Sequence, residues 1–306
     1  MTLPVLDSVA VLGAGALGSF YASQFYQAGF ATTFVARGAR YEALAENGVV
    51  VNERPFHLAV THPDDASPVD LVVVALKHHH LQGALPDLRP FVGPHTLVLS
   101  VMNGLDSEAI LGEAVGAEKV LYCVAVGIDA VREGNRVTYS APGKLFFGEA
   151  DNTAVSPCVQ RVQAALDRAG LVYETPVDMI RILWWKFMIN VGMNQASAVL
   201  GAPYGAFQSL PEAQAVMKAL MGEVIQLAQH TAVNLTHQDV DDWNRVLQTL
   251  SPQGKTSMLQ DVEAGRKTEV EMFGGKVVAL GKQYGIPTPV NEIFLRMIQV
   301  LEQRPF

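Results

Sequence analysis

The feature that most narrows the folds open to this chain is a glycine turn set between two different apolar patterns. Residues 9–12 form a short apolar run, Gly13-Ala14-Gly15-Ala16-Leu17-Gly18 follows, and residues 16–28 carry helical periodicity. The pattern G-x-G-x-x-G is informative only when a strand precedes it and a helix follows, and both conditions hold. In that setting Gly13 permits a tight turn, Gly15 lets backbone approach a pyrophosphate, and Gly18 lets the helix pack close to the strand. The helix start adds free N–H groups and the positive end of a dipole. The segment therefore suits a dinucleotide, with a glycine-rich turn that binds nothing as the structural alternative.

The rest of the first half repeats the strand–helix alternation. Residues 31–36 read as a second strand and 39–47 as a helix, and the runs 71–76 and 96–102 are apolar on both faces. Strands of that kind belong to a parallel sheet covered on both sides, built from right-handed βαβ units. Between residues 120 and 148 the pattern shortens to strands at 124–131, 136–139 and 145–148. Turn signals stand at Gly134-Asn135 and Pro142-Gly143, so these strands are expected to extend the sheet in antiparallel fashion. A helix at 156–169 and a strand at 171–173 complete this part. Beyond residue 177 the strand signals fade, and helices are expected at 179–200, 211–231, 238–250, 268–284 and 290–303. The expected architecture is α/β: an N-terminal Rossmann-type doubly wound sheet with an antiparallel extension over residues 1–176, then an all-α domain over 177–306.

Composition excludes several classes of function. Of 306 residues 49% are hydrophobic and 17% charged, with a net charge of −8, which disfavours nucleic acid and anionic membrane surfaces. The apolar runs are too short to span a bilayer. Cys123 and Cys158 lack the paired spacing of a disulfide framework or a zinc site. Three adjacent histidines, His78 to His80, would point about 100° apart on a helix and chelate one ion poorly, so no metal is expected. The start Met1-Thr2-Leu3-Pro4, with Asp7, lacks a basic and apolar signal pattern, leaving a cytoplasmic location by default.

The end of the second strand bears on the choice of dinucleotide. An NAD site usually places Asp or Glu there for the ribose 2′-hydroxyl. This chain reads Ala36-Arg37-Gly38-Ala39-Arg40 instead. A guanidinium at Arg37 suits a 2′-phosphate by charge and forked donor geometry, and Arg40 is placed to assist. A solvated surface arginine is the alternative.

The most informative segment of the second half is the helix after Ile182. Between Ile182 and Leu210 the only charged residue is Lys186, and Lys186, Asn190 and Asn194 recur at i, i+4 and i+8, with Ser197 near the same stripe. Polar groups in so apolar a helix require partners. A partly desolvated lysine can polarise a ketone and protonate the alkoxide left by hydride transfer, and the asparagines can bind a hydroxyl or carboxylate. Equally, Lys186 could reach solvent past Trp184 or Trp185. Lys77 and Asn103-Gly104 end apolar strands, where ligands bind in open parallel sheets, though a helix start and an ordinary turn explain them as well. Thr268 with Glu271 fits a capping box, which would put Glu269 in a first helical turn.

Taken together, Gly13 to Gly18, Arg37, Ala75-Leu76-Lys77, Asn103-Gly104, Trp185-Lys186 with Asn190 and Asn194, Ser257-Met258-Leu259-Gln260-Asp261, Thr268-Glu269 and Gly285-Ile286-Pro287-Thr288-Pro289 give the chain a clear likeness. It resembles the ketopantoate reductase (2-dehydropantoate 2-reductase) family along nearly its whole length. The resemblance implies reduction of a small 2-keto acid by NADP(H), a step of pantothenate biosynthesis on the way to coenzyme A. It implies that Gly13, Ala14, Gly15, Ala16, Leu17 and Gly18 hold the cofactor with Arg37, and that Lys77, Asn103 and Ala130 lie toward its nicotinamide. It makes Lys186 the general acid, places Asn190, Asn194 and Ser257 with Lys186 on the substrate, and gives Glu269 a catalytic and cofactor-orienting role. Tyr204 departs from the family, which often has a substrate-contacting asparagine there. A reductase of another keto acid and a non-catalytic NADPH-binding redox sensor are the rival readings. The apolar helices serve equally as core or as the interface of a homodimer.

Overall fold

A strand apolar on both faces can be buried only if both faces are covered, and this chain covers them with two separate cores. The structure, a computed structural model, describes residues 5–303; the Met1 to Pro4 start discussed above lies outside the described residues. Two compact units result, one running to Ile182 and the other starting at Leu183.

Among the described residues, the first unit contains every strand. These are β1 (Ser8–Leu12), β2 (Ala31–Val35), β3 (Val49–Val51), β4 (Arg54–Phe56), β5 (Ala59–Thr61), β6 (Val69–Val74), β7 (Val92–Ser100), β8 (Val120–Ile128), β9 (Val131–Glu133), β10 (Arg136–Thr138), β11 (Pro142–Gly148) and β12 (Tyr173–Glu174). Eight of them form one sheet in the order β12-β11-β8-β7-β6-β1-β2-β5. From β5 to β8 all neighbours are parallel, while β11 runs antiparallel to β8. Successive residues of the central strands face opposite cores. Val9 and Val11 pack with Phe20 and Phe25 of α1 (Ala16–Gln27), and the same core takes up Val162 and Leu166 of α5 (Pro157–Arg168). Ala10, Val72, Val74 and Val98 pack with Leu81 and Leu88 of α3 (His78–Leu88) and Leu111 of α4 (Ser107–Val115). The fifth helix of this unit, α2 (Gly38–Asn47), follows β2.

The antiparallel extension exists, and it is β11, with β12 parallel to it at the sheet edge, that provides it. The hairpin β9–β10 leaves the main sheet and joins β3 and β4 in a second sheet of order β4-β3-β10-β9. The expectation that residues 136–139 extend the main sheet is thus corrected. β8 stops at Ile128, and the Asp129 carboxylate accepts backbone N–H groups from Ser140 and Ala141, turning the chain away.

The second unit is helical among the described residues. Its elements are α6 (Met179–Ile189), which begins in the first unit, α7 (Gln195–Leu200), α8 (Tyr204–Ser209), α9 (Pro211–His230), α10 (His237–Leu247), α11 (Ser257–Glu263), α12 (Lys276–Tyr284) and α13 (Pro289–Leu301). Two wider turns interrupt this pattern. Asn190–Asn194 and Glu271–Gly275 are π-helical, one joining α6 to α7 and the other leading into α12. The helix expected over 268–284 therefore does not begin in a capping box. Thr268 Oγ1 donates to Glu302 at 2.6 Å, Glu271 accepts from Gln299, and Glu269 sits in a bend before the π turn. No described helix is long and apolar enough to cross a membrane.

Candidate active site

In the first unit the site is built by strand register. Leu12 of β1 pairs with Val35 of β2 and Val74 of β6, and Val74 pairs with Ser100 of β7, so four strands end in line. The segments that follow those ends carry Gly13 to Gly18, Arg37, Lys77 and Asn103. Chain direction reverses its course across the sheet beside β1, and ligands of such sheets bind outside the carboxyl ends at that point.

The glycines of the turn do different work. Gly13 has φ +107°, and a Cβ there would stand 2.5 Å from the Ala75 carbonyl oxygen. A Cβ at Gly18 would stand 1.8 Å from the Gly13 oxygen, so this glycine is what lets α1 start against the turn. Around Gly15 nothing lies within 4 Å of an added Cβ. That open side adjoins the start of α1, where no side chain caps the first N–H groups and no acid occupies the first turn. Uncapped donors beside an open glycine are what a pyrophosphate needs, so the residues present fit a dinucleotide.

Arg37 precedes α2 and makes an ion pair with Asp87 of α3; its side chain is 52% exposed. Arg40 is exposed on α2, and its Nη2 donates to the Ala14 carbonyl at 2.7 Å. Lys77 directly precedes α3, and Asn103 lies beyond β7 next to Gly104, whose φ is +101°. Ala130, between β8 and β9, packs against the core on the α1 side. The His79 and His80 rings lie 4.2 Å apart, tilted by 58°, in the first turn of α3.

In the second unit the candidate residues lie mostly on one helical run. Lys186 is half-buried, and among the described residues no carboxylate stands in ion-pair range of it. Desolvation alone draws its pKa down from 10.5 to about 8. Asn190 and Asn194 are buried, the first and last residues of the π turn. On a regular α-helix four residues overshoot a full turn by about 40°, so an i, i+4, i+8 stripe drifts by about 80°. A π turn is wider, so it returns Asn194 toward the direction of Lys186 instead of carrying it further round. Asn194 Nδ2 reaches Ser257 Oγ at 3.5 Å; Ser257 is the first residue of α11, whose start is capped by Thr256. Ser197 is committed elsewhere, donating to the Ala202 carbonyl at 2.7 Å. Tyr204 packs its ring over Gly254, in the segment leading to Ser257, and its amide donates to the Gly254 carbonyl.

Two models of one family account for nearly the whole chain. The model described as Ketopantoate reductase PanE/ApbA matches residues 9–152, and Ketopantoate reductase PanE/ApbA C terminal matches residues 178–302. The chain belongs to the ketopantoate reductase family. It is an oxidoreductase of the kind that acts on CH–OH groups. Among its relatives, the 2-dehydropantoate 2-reductase of Archaeoglobus fulgidus is 29% identical over 300 residues, covering 97% of this chain and 98% of the relative. The crystal structure of 2-dehydropantoate 2-reductase from Geobacter metallireducens superposes with a TM-score of 0.86 at 28% identity, covering 96% and 99% of the two chains. A ternary structure of D-mandelate dehydrogenase with NADH and anilino(oxo)acetate has a TM-score of 0.87 over 96% and 98% of the chains; at 20% identity it speaks for the fold alone.

Two participants escape a reading of the sequence. Gln195 Nε2 donates to the Val191 carbonyl inside the π turn at 2.9 Å and to Asn291 at 2.9 Å, so a buried amide holds that turn in shape. Its polarity in an apolar helix was a visible signal. Arg132 on β9 donates to the Ala14 carbonyl across 118 residues of sequence, and no local pattern announces that contact.

Proposed function

We propose that this member of the ketopantoate reductase family reduces the ketone of 2-dehydropantoate to the alcohol with NADPH, as a step of pantothenate biosynthesis, and that Lys186 is the proton donor. The observation that carries the reading is the half-buried, carboxylate-free Lys186 with its pKa drawn down to about 8, on one stripe with Asn190 and Asn194. An acid catalyst works best with a pKa near the working pH, and burial brings this lysine there.

Gly13, Ala14, Gly15, Ala16, Leu17 and Gly18 would hold the pyrophosphate. Arg37 would exchange its Asp87 partner for the 2′-phosphate, and Lys77, Asn103 and Ala130 would lie toward the nicotinamide. Bound NADPH supplies the hydride that adds to C2 of the keto acid. Lys186 polarises the ketone oxygen, stabilises it as negative charge develops, and then protonates it. Asn190, Asn194 and Ser257 hold the hydroxyl and carboxylate ends of the substrate, and Glu269 orients cofactor or substrate hydroxyls.

Loss of NADPH absorbance on mixing with ketopantoate tests the reading, with NADH as comparison. Turnover with ketopantoate and NADPH is expected; NADPH binding without turnover on any keto acid would favour a redox sensor and end the proposal. Tyr204 favours one second reading, a different 2-keto acid, because an aromatic ring stands beside the segment leading to Ser257. A panel of 2-keto acids separates the two by their kcat/KM ratios.

A further inference from the structure

Two arginines crowd the glycine turn from different elements. Arg40 of α2 donates to the Ala14 carbonyl, and Arg132 of β9 donates through Nη1 to that same oxygen and through Nε to the Gly134 carbonyl at 2.7 Å. Among the described residues neither guanidinium has a carboxylate in ion-pair range. Both pKa values are lowered, that of Arg132 to about 10, by burial first and then by the charge of Arg40. Two like charges gathered on one neutral oxygen repel each other. They open onto a cleft of about 400 Å³ bounded by Asn47, Gly48 and the Gly134-Asn135 turn. Arg37, by contrast, already has an acid beside it in Asp87.

We propose that Arg132 and Arg40 join Arg37 in binding the adenosine 2′-phosphate of the cofactor, so that the small second sheet contributes to the preference for NADPH over NADH. The inference rests on the reading that NADPH binds at the glycine turn. A phosphate monoester carries about −1.5 to −2 charges and accepts several donors at once, which matches two uncompensated forks. The end of β2, from which α2 and Arg40 follow, is where this sheet type meets the 2′ position of the ribose. The pyrophosphate is common to both cofactors and is served by the uncapped start of α1, so it does not call for these side chains.

The test is binding in the absence of keto acid. The whole chain and its Arg132→Ala, Arg40→Ala and Arg37→Ala variants are titrated calorimetrically with NADPH, NADH, adenosine 2′,5′-bisphosphate and AMP. Arg132→Ala and Arg40→Ala are each expected to weaken NADPH and the bisphosphate by roughly tenfold or more, the size of a lost charge-assisted hydrogen bond, with NADH and AMP moving less than about twofold. Arg132→Lys keeps the charge and should retain most of the preference, which separates phosphate recognition from a structural role. Parallel weakening of NADPH and NADH overturns the proposal, as does an unchanged preference in Arg132→Ala that Arg37→Ala abolishes; that last result leaves the NADPH reading standing. A wild-type chain with no preference for NADPH overturns both.

Discussion

The two units equip themselves for chemistry in opposite ways. The sheet unit works through backbone: a glycine with positive φ, another with open space, uncapped N–H groups and strand ends in register. The candidate residues of the helical unit are instead side chains set in an apolar run, Asn190 and Asn194 at the two ends of a π turn and Lys186 with a pKa lowered by burial. The contrast teaches that recognition of a large anionic ligand can be written into chain geometry. Proton transfer requires one particular atom with a shifted pKa.

That contrast can be broken most sharply at Lys186. Lys186→Ala should lower kcat by roughly two to four powers of ten, the range for a lost acid catalyst, while the NADPH Kd moves less than about twofold. Stopped-flow or steady-state reduction of ketopantoate measures the first and calorimetry the second; turnover near wild type would remove the lysine from the chemistry.

In the sheet unit the matching experiment compares two glycines. Gly13→Ala combines a positive φ with a Cβ 2.5 Å from backbone oxygen, and should cost about 2–4 kcal/mol of stability. Gly15→Ala meets nothing within 4 Å and should stay within about 0.5 kcal/mol of wild type, yet bind NADPH more weakly because the methyl takes ligand space. Denaturant unfolding and cofactor titration resolve the two, and equal stability losses would show that Gly15 is also a folding requirement.

A smaller effect is expected from the π turn itself. A Cβ at Gly192 would lie 2.4 Å from Met221 Cγ and 3.0 Å from the Met217 carbonyl oxygen, so Gly192→Ala should destabilise by about 1–3 kcal/mol as overpacking does. Displacement of Asn190 or Asn194 should then raise KM for the keto acid and leave NADPH affinity alone. A KM unchanged at lowered stability would mean that the turn serves packing only.

The mildest probe is pH. With the Lys186 pKa at about 8, the acid form persists below that value, so kcat/KM for ketone reduction should hold toward neutral pH and fall about tenfold per unit above about 8. Stability has the opposite sign. The unfolded lysine, with its pKa at 10.5, binds a proton that the folded one has released, so the cost of burying it eases between pH 8 and 10.5. A reduction profile flat to pH 10 would contradict the assignment.

Much of this was legible in the sequence, and the physical reason is locality. The glycine turn, the doubly apolar strands and the Lys186-Asn190-Asn194 stripe each depend on residues a few positions apart, where steric allowance and periodicity decide the outcome. Residues 49–61 carry three strands of three residues each, too short for period-two alternation to stand out. The hairpin at 131–138 was readable as strand, but its partner was not, since β3 and the main sheet offer the same backbone hydrogen bonds. The i, i+4, i+8 spacing was visible, whereas the π turn that aligns it depends on Gln195, Met221 and Asn291 being brought alongside. Likewise Arg37 could be singled out from its place after a strand, while only folding could pair it with Asp87 and bring Arg132 to the Ala14 carbonyl. What one segment must become is set by its own sterics and hydrophobic period; which charges and amides meet is set by packing between distant segments, which no short window of sequence contains.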